Sequence, residues 1–594
     1  MKSIVFQPSL ISKILALLIC INHTQLLAQH KNDFIWLLGS SNGSPDTIFG
    51  GNLIDFAQGD PTIEYIDIQL DMWFPAIISD ESGQLSFYTN GCKMLNGTNE
   101  LIENGTEINP GYVYEAYCND PTHPIGYPSY QGNLLLPYPG HNGQYFYFHS
   151  WVDEILITRK LLYSFINMNE NGGLGKIEVK NQVLLEDTLT PAVTATRHAN
   201  GRDWWIVAAR ESSSVYYVFL LDPEGLHPPT VQVLDSTWIP GHIVNLSNVF
   251  SPDGTKFVRF GGGVPADFIM YNFDRCSGQL YNPVTIHLPD TVSASPWGCF
   301  SPNSRFLYVQ NEGDKLHQFD TWATDISSSV QLVGIYDGFK GPFGLSTRFN
   351  SMTVGPDQRI YMSCRSGVNF LHVIHQPNEP GLNCDFRQHD IELPAIYPFF
   401  LPNMPFYRLH KIPGSECDSL NIQEPLVAFW RYKQDSLASA TKIDFTDISY
   451  FDPIQWNWTF GDGFTSTEQF PSHIYAEPGV YNVCLNVCNS AGICDDLCKN
   501  VVVKNVSVGS KQLSETFFKF YPNPTSDYLV FELPNSTSES IIYIYDMNGR
   551  EIIRKNIAPS VEIYRFELNS IPPGVYCIKI SNDNKVHGAH FIKS

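Results

Sequence analysis

The sequence predicts an all-β chain, with a six- to seven-bladed β-propeller over its first two thirds and two small β-sandwiches after it. Three observations carry that expectation. A strand–turn–strand unit recurs at a slow, nearly constant interval. Aromatic residues make up 13% of the chain beside 43 Gly and 40 Pro, the mixture that many short strands and tight turns require. Two later stretches alternate apolar and polar residues at the period of a strand.

The unit is clearest in NVFSPDGTKFVRFG, residues 248–261. An extended run ends at Phe250, and a second leaves with Phe257, Val258 and Phe260. Between them Pro252 presets φ, Asp253 can bond its own backbone, and Gly254 accepts a positive φ. Related units lie at 76–89, 134–150, 194–209, 299–311 and 352–364. Their turn positions, Gly83, Gly143, Gly201, Gly254, Ser304 and Gln358, stand 60, 58, 53, 50 and 54 residues apart. Repeats of that length, with strands in each, suggest propeller blades whose sheets need neighbours to bury their faces. DFIWLLG (33–39) and FFLPNMPFYRL (399–409) are expected to complete a seventh blade and close the ring. A large β-sandwich with extra strands is the rival, and regular spacing argues against it.

At 594 residues the chain is too long for one core, and roughly two to four domains are expected. A net charge of −23, with no run of Lys or Arg, argues against a nucleic-acid face and is read as solubility. Lys2 and Lys13 precede an apolar run, Ile14 to Ile21, which reads as a signal peptide over 1–28 with cleavage near Ala28–Gln29. Ile19 precedes Cys20 where a lipid-anchored leader has a small residue. No transmembrane segment is expected, because no later stretch has about 20 consecutive apolar residues. Export places the remaining 12 of 13 cysteines in an oxidising compartment, where disulfides are favoured over metal ligation.

WLLG with GGNLIDF, ISDESGQLSFYTNG, HANGRDWW, FDRCSGQL, FSPNSRFLYV and LPNMP resemble the propeller-type repeat region of secreted Bacteroidetes proteins. The resemblance covers 32–412 and implies architecture, not an activity; in that group a PKD module and a secretion tail usually follow. The region has no GxSxG, HExxH or EF-hand pattern. GGLGK (172–176) is followed by Ile177, and GGG (261–263) lacks a later glycine, so both read as turns. No cofactor and no metal are expected.

The polar cluster Arg197, His198, Arg202, Asp203, Trp204 and Trp205 admits two readings. His198 and Asp203 are the candidate catalytic pair, with a tryptophan as a stacking platform. Alternatively Asn200 and Gly201 make a hairpin turn, His198 and Asp203 bond across it, and the two tryptophans face opposite sides. Strand alternation favours the second. Cys92 and Cys118 fall in one insertion, Gly91 to Tyr130, where a disulfide and a ligand-facing surface are expected. Cys276 with Cys299, and Cys364 with Cys384, are further candidate pairs.

Residues 422–505 resemble a PKD domain through Trp458, Phe460, Gly461, Asp462 and Gly463, then Pro471, His473, Tyr475, Gly479 and Tyr481. The resemblance implies an Ig-like sandwich that serves as a spacer or contact module. Trp456, Trp458 and Phe460 share one strand face, and Asp462 reads as a turn-former. A hairpin with Gly492 in the left-handed position sets Asn489 opposite Ile493. The same register pairs Cys488 with Cys494 and Cys484 with Cys498, which predicts two cross-strand disulfides. A four-cysteine zinc site is the rival, and it lacks CxxC spacing.

After a polar linker (504–514), residues 515–594 resemble the C-terminal sorting domain of the type IX secretion system. The matching pieces are Tyr521, Pro522, Asn523 and Pro524; an Asn548-Gly549 hairpin; Gly574, Val575 and Tyr576; and a basic last strand ending at Lys593. The resemblance implies export, handling by the type IX machinery, and a product that is released or held at the cell surface. The expected function is binding of an extracellular glycan or protein ligand, without catalysis. The alternatives are a polysaccharide hydrolase or lyase with the PKD module as substrate spacer, and a purely structural scaffold. A carboxylate pair in the central cleft would mark the enzyme, and an aromatic platform without one the binding module.

Overall fold

The computed structural model describes residues 31–41, 48–120, 125–234, 247–261, 267–289, 296–311, 313–420, 422, 425–434, 441–504, 519–522, 525–532, 540–546, 550–559, 561, 563–568, 571–572, 574–582 and 585–593. The expected signal peptide with Cys20, the Asn548-Gly549 turn, Asn523 and Pro524 lie outside them. The described residues group into two compact units. One holds the chain through Lys433 with Asp444–Ser472 and Tyr481–Val501; the other holds Gln434–Ile443, His473–Val480 and Val502 onward.

The first unit begins with a run of antiparallel sheets, each made from one contiguous stretch of chain. Among the described residues these are seven. The first pairs Ile35–Gly39, Gly51–Asp55 and Thr62–Ile66, and the second pairs Ala76–Ser79, Leu85–Thr89 and Met94–Asn96. The third to seventh open with Asn133–Pro137, Thr194–Arg197, Asn248–Phe250, Trp297–Phe300 and Phe349–Val354.

One local device opens most of them. The N–H groups of Gly83, Gly201, Gly254, Ser304 and Gln358 each donate to the carbonyl three residues back, at 2.7–3.0 Å. These residues and Gly143 all have φ between 62° and 89°. In the residue before, Asn200, Asp253, Asn303 or Asp357 accepts with Oδ1 the N–H two positions on. The turn is therefore written in three residues, and the left-handed conformation costs Ser304 and Gln358 roughly 1 kcal/mol that a glycine avoids.

Consecutive sheets bury their faces against each other. Leu37 of the first, with Ile68 just after it, meets Ile77 and Tyr88 of the second. Phe87 meets Tyr145 across the next pair, with ring centroids 5.1 Å apart. Trp204 packs with Phe148, Phe257 with Tyr216, Phe268 with Phe319, and Tyr308 with Met362 along the succession. Trp36 and Ile54 of the first sheet, with Phe56 just after its second strand, also pack with Tyr361, Leu371 and Val373 of the seventh. Trp36 is fully buried, 4.9 Å from Phe56 and 5.3 Å from Tyr361, and each such ring pair adds about 1 kcal/mol beyond its buried area.

FFLPNMPFYRL departs from expectation. DFIWLLG supplies the first strand of the first sheet, but 399–409 form no strand. The Asn403 amide instead donates to the carbonyls of Gln131, Asn133 and Val193, at 3.2, 3.1 and 2.9 Å, and Tyr407 donates to Leu135 O at 2.8 Å. The segment crosses the opening strands of the third and fourth sheets. Two prolines, Pro402 and Pro405, remove N–H groups that a strand there would need.

Later in this unit Trp430 and Trp458, both fully buried, meet edge to face at 5.4 Å, and Phe445 lies 5.4 Å from Trp458. The second unit carries two sheets around one core. Leu529 and Phe531 come from Tyr528–Glu532, and Ile542 and Ile544 from Ser540–Asp546. Tyr576 and Ile578 come from Gly574–Asn582.

Candidate ligand-binding cavity

A cavity of about 100 Å³, partly open to solvent, lies among the opening strands of the sheets and residues 400–406. Most of its polar lining is neutral amide and hydroxyl, Gln131, Asn133, Thr194, Thr196, Asn248 and Asn403 among them. These groups are held by each other. Gln131 Nε2 donates to Asn248 O at 2.7 Å, and Gln131 Oε1 accepts from Asn248 N at 2.9 Å. Ser129 Oγ and Asn248 Oδ1 are buried there without a hydrogen-bond partner. One carboxylate, Asp33, lines the cavity among the described residues, and both of its oxygens are taken by the Arg408 guanidinium.

Beside this lining stands an aromatic cluster. Phe400 lies 5.3 Å from Phe74, 5.4 Å from Tyr130, 5.8 Å from Trp297 and 6.3 Å from Phe399. Trp73 stacks at a tilt on Phe399, 4.8 Å away. Phe74 and Trp297 are buried, whereas Trp73, Tyr130, Phe399 and Phe400 are half-buried, and of these four Phe400 lines the cavity. Tyr130 ends the insertion that begins at Gly91. That insertion carries the Cys92–Cys118 disulfide and a short helix, Tyr112–Tyr117. Burial pushes the Tyr130 hydroxyl above its usual range.

The expected acid/base pair is built into a turn. His198 Nδ1 accepts from Asn200 N at 3.0 Å, which leaves Nε2–H to donate to Cys276 O at 3.1 Å. Burial lowers the affinity of this imidazole for a second proton. Asp203 accepts from Arg202 Nε at 2.6 Å and from Asn200 Nδ2 at 2.6 Å, and it is buried. Trp204 packs under Arg197, 4.2 Å from its guanidinium, while Trp205 turns the other way to donate to Arg275 O at 2.8 Å. None of His198, Arg202, Asp203, Trp204 and Trp205 lines the cavity. GGLGK forms a surface turn with Gly172, Gly173 and Gly175 at positive φ.

The cysteines divide. Cys484 is bonded to Cys498 and Cys488 to Cys494, around a turn in which Asn489 N donates to Ile493 O and Gly492 has φ 76°. Cys276 is bonded to Cys417, not to Cys299, and Cys364 and Cys384 are free thiols. Neither expected pair forms: Cys276 sits in a turn that the segment after the seventh sheet crosses and is taken there by Cys417, while Cys299, Cys364 and Cys384 are buried, with the Cys364 thiol donating to Phe370 O at 3.3 Å. Among the described residues no three His, Cys, Asp or Glu cluster as a metal site.

The motif residues further on occupy structural places. Trp458 Nε1 donates to Glu468 O, and Phe460 is buried. Gly461 has φ 80° with Asn482 against its Cα, Gly463 has φ 98°, and Asp462 Oδ1 caps Phe464 N. Tyr521 pairs in a strand before Pro522, Gly574 opens a strand, and Tyr576 donates to Pro572 O at 2.7 Å.

The comparisons agree with this division of the chain. Residues 431–504 match the model of the PKD domain, and 519–594 match that of the secretion system C-terminal sorting domain. The chain is thus a multi-module protein with a propeller-like region, a PKD domain and a type IX sorting domain. The sorting domain marks it for secretion and attachment at the cell surface, and among the described residues no helix is long and apolar enough to cross a membrane.

No curated protein matches the chain. Among solved structures it is similar to the PKD1 domain of the Vibrio cholerae metalloprotease PrtV, at 26% identity over 14% of this chain and 98% of that one, TM-score 0.13. It is also similar to a putative 6-phosphogluconolactonase from Bacteroides uniformis, at 12% identity over 80% and 98% of the two chains, TM-score 0.33. The Dos1 propeller is similar at 10% identity over 62% and 87%, TM-score 0.32.

Proposed function

We propose that residues 32–412 form a closed seven-bladed propeller whose central cavity binds a neutral glycan, displayed at the cell surface by the PKD domain (422–505) and the sorting domain (515–594). Closure is supported by the core shared between the first and seventh sheets. It is supported also by Asn52, which donates to Ala395 O at 2.9 Å and accepts from Ala395 N at 2.7 Å. The observation that carries the binding reading is the half-buried cluster of Trp73, Tyr130, Phe399 and Phe400 beside a lining of amides and hydroxyls. Sugar rings present an apolar C–H face and a rim of hydroxyls, and that combination of rings and neutral hydrogen-bonding groups complements both. Glycoside hydrolysis calls for two carboxylates astride the bond, and the lining carboxylate Asp33 is already engaged by Arg408.

The test is calorimetric titration of the whole exported chain with a panel of neutral oligosaccharides, with reducing ends assayed in parallel. Binding without release, weakened roughly tenfold by Phe400→Ala, is the expected result. Release of reducing ends above a heat-killed control would establish the hydrolase instead, and neither binding nor release would leave the scaffold.

A further inference from the structure

We infer that the PKD domain is the clasp of the propeller, holding its first and last sheets together, and not a spacer swinging free of it. The inference rests on the proposed closure of the sheets into a ring. The first sheet ends at Ile66 and the seventh begins at Phe349, and each pairs only its own contiguous strands. Closure therefore rests on side-chain packing and a few hydrogen bonds, those of Asn52 with Ala395 and of Ile396 N with Ile48 O, with no strand among the described residues from one end of the chain completing the sheet of the other.

Two donors meet at Asp60, in the loop between the second and third strands of the first sheet. Its Oδ1 accepts from Arg359 Nη2 of the seventh sheet at 3.0 Å, and its Oδ2 accepts from the backbone N–H of Tyr432, in the PKD domain, at 3.2 Å. The neighbouring Gly59 has φ 83°, and a Cβ there would sit 2.1 Å from Trp430 O, so the loop lies flush on the PKD strand. Lys499 of the PKD domain fixes the same loop: its ammonium donates to Gln58 O and to Trp430 O, and lies 3.9 Å from the Trp430 ring.

The same module grips the other side. Tyr450 donates to Pro356 O at 2.5 Å and Arg431 to His375 O at 3.2 Å, both acceptors in the seventh sheet or its turns. Phe429 stacks on Phe34, just before the first strand, at 5.4 Å. These contacts are buried or part-buried and directional, and a module held to both neighbours of a joint resists its opening.

The experiment is hydrogen exchange on the whole chain carrying Asp60→Ala and Tyr450→Phe. Amides of 35–66 and 349–397 are expected to exchange on the order of tenfold faster or more, with Trp204–Asp222 on the fourth sheet unchanged. A disulfide across the joint, Asn52→Cys with Ala395→Cys, is expected to restore the protection. Faster exchange confined to 428–501 would overturn the clasp. If the double variant unfolds, recovery of its fold by the added disulfide supports the clasp and failure to recover overturns it. If the two new cysteines do not bond even in the otherwise unaltered chain, the closed ring itself is wrong, and the clasp falls with it.

Discussion

Arg408 and Asp33, 375 residues apart, form a two-pronged ion pair buried from water, with Nη2 to Oδ2 at 2.7 Å and 1% and 5% of the side chains exposed. The guanidinium also lies 5.1 Å from the Tyr450 ring and 5.3 Å from that of Phe406. It ties the end of the segment through the cavity to a residue two positions before the first strand.

Removing one partner leaves the other charged and buried. Asp33→Ala is expected to lower stability by about 3–5 kcal/mol in urea unfolding of the whole chain, and Asp33→Leu with Arg408→Met to recover most of it. A single variant within about 1 kcal/mol of wild type would show that water reaches the pair.

Gly254 carries both a positive φ of 69° and a crowded Cβ position, 2.5 Å from Thr196 Oγ1 and 2.8 Å from Arg275 Cδ. Gly172, at φ 67°, has open space around it. Gly172→Ala should cost about 1 kcal/mol from backbone strain, and Gly254→Ala roughly 2–4 kcal/mol once overpacking is added. Equal losses in thermal unfolding would refute the contribution of the crowding.

The disulfides differ in what they constrain. Cys276–Cys417 spans 141 residues and Cys488–Cys494 spans six. Loop entropy predicts a contribution of about 5 kcal/mol from the first and about 2 kcal/mol from the second. Paired serine substitutions compared by calorimetry should rank in that order, and the reverse ranking would contradict it.

Burial pushes the pKa of His149 and His372 down to about 3, with His389 adding to the effect on His372. His149 spends both nitrogens, on Asn109 Oδ1 at 2.6 Å and Ser164 Oγ at 3.1 Å. Below pH 6.5, the ordinary value, the unfolded chain takes up protons that the native one refuses. Stability is therefore complete above that pH and falls progressively toward about pH 3. His149→Gln should flatten part of this acid limb in unfolding measured across pH.

Lys499 gives a slope on the alkaline side. Burial lowers its pKa from 10.5 to about 8, so between those values the native chain has lost a proton that the unfolded chain keeps. Stability is expected to rise over that window by up to roughly 3 kcal/mol, and Lys499→Met to remove the rise. A wild-type curve flat from pH 8 to 10.5 would mean the ammonium is solvated.

What the sequence by itself determined is local. The turns at Gly83, Gly201, Gly254, Ser304 and Gln358 are set by three or four residues of chemistry, and their spacing therefore announces the run of sheets. The opposite facing of Trp204 and Trp205 follows from strand alternation in the same way. The insertion ending at Tyr130 was legible as an interruption of the repeat.

Tertiary structure alone decided the rest. Trp73, Tyr130 and Phe400 come from three separate connections and Trp297 from the opening strand of the sixth sheet, and no period in the sequence relates them. Residues 399–409 read as a strand by composition, yet they take their hydrogen bonds from carbonyls more than 200 residues away. The same distance separates Asp60 from Arg359 and from Tyr432. Such contacts form only when successive sheets bury their faces and bring the chain's distant parts together, a consequence of packing that no short stretch encodes.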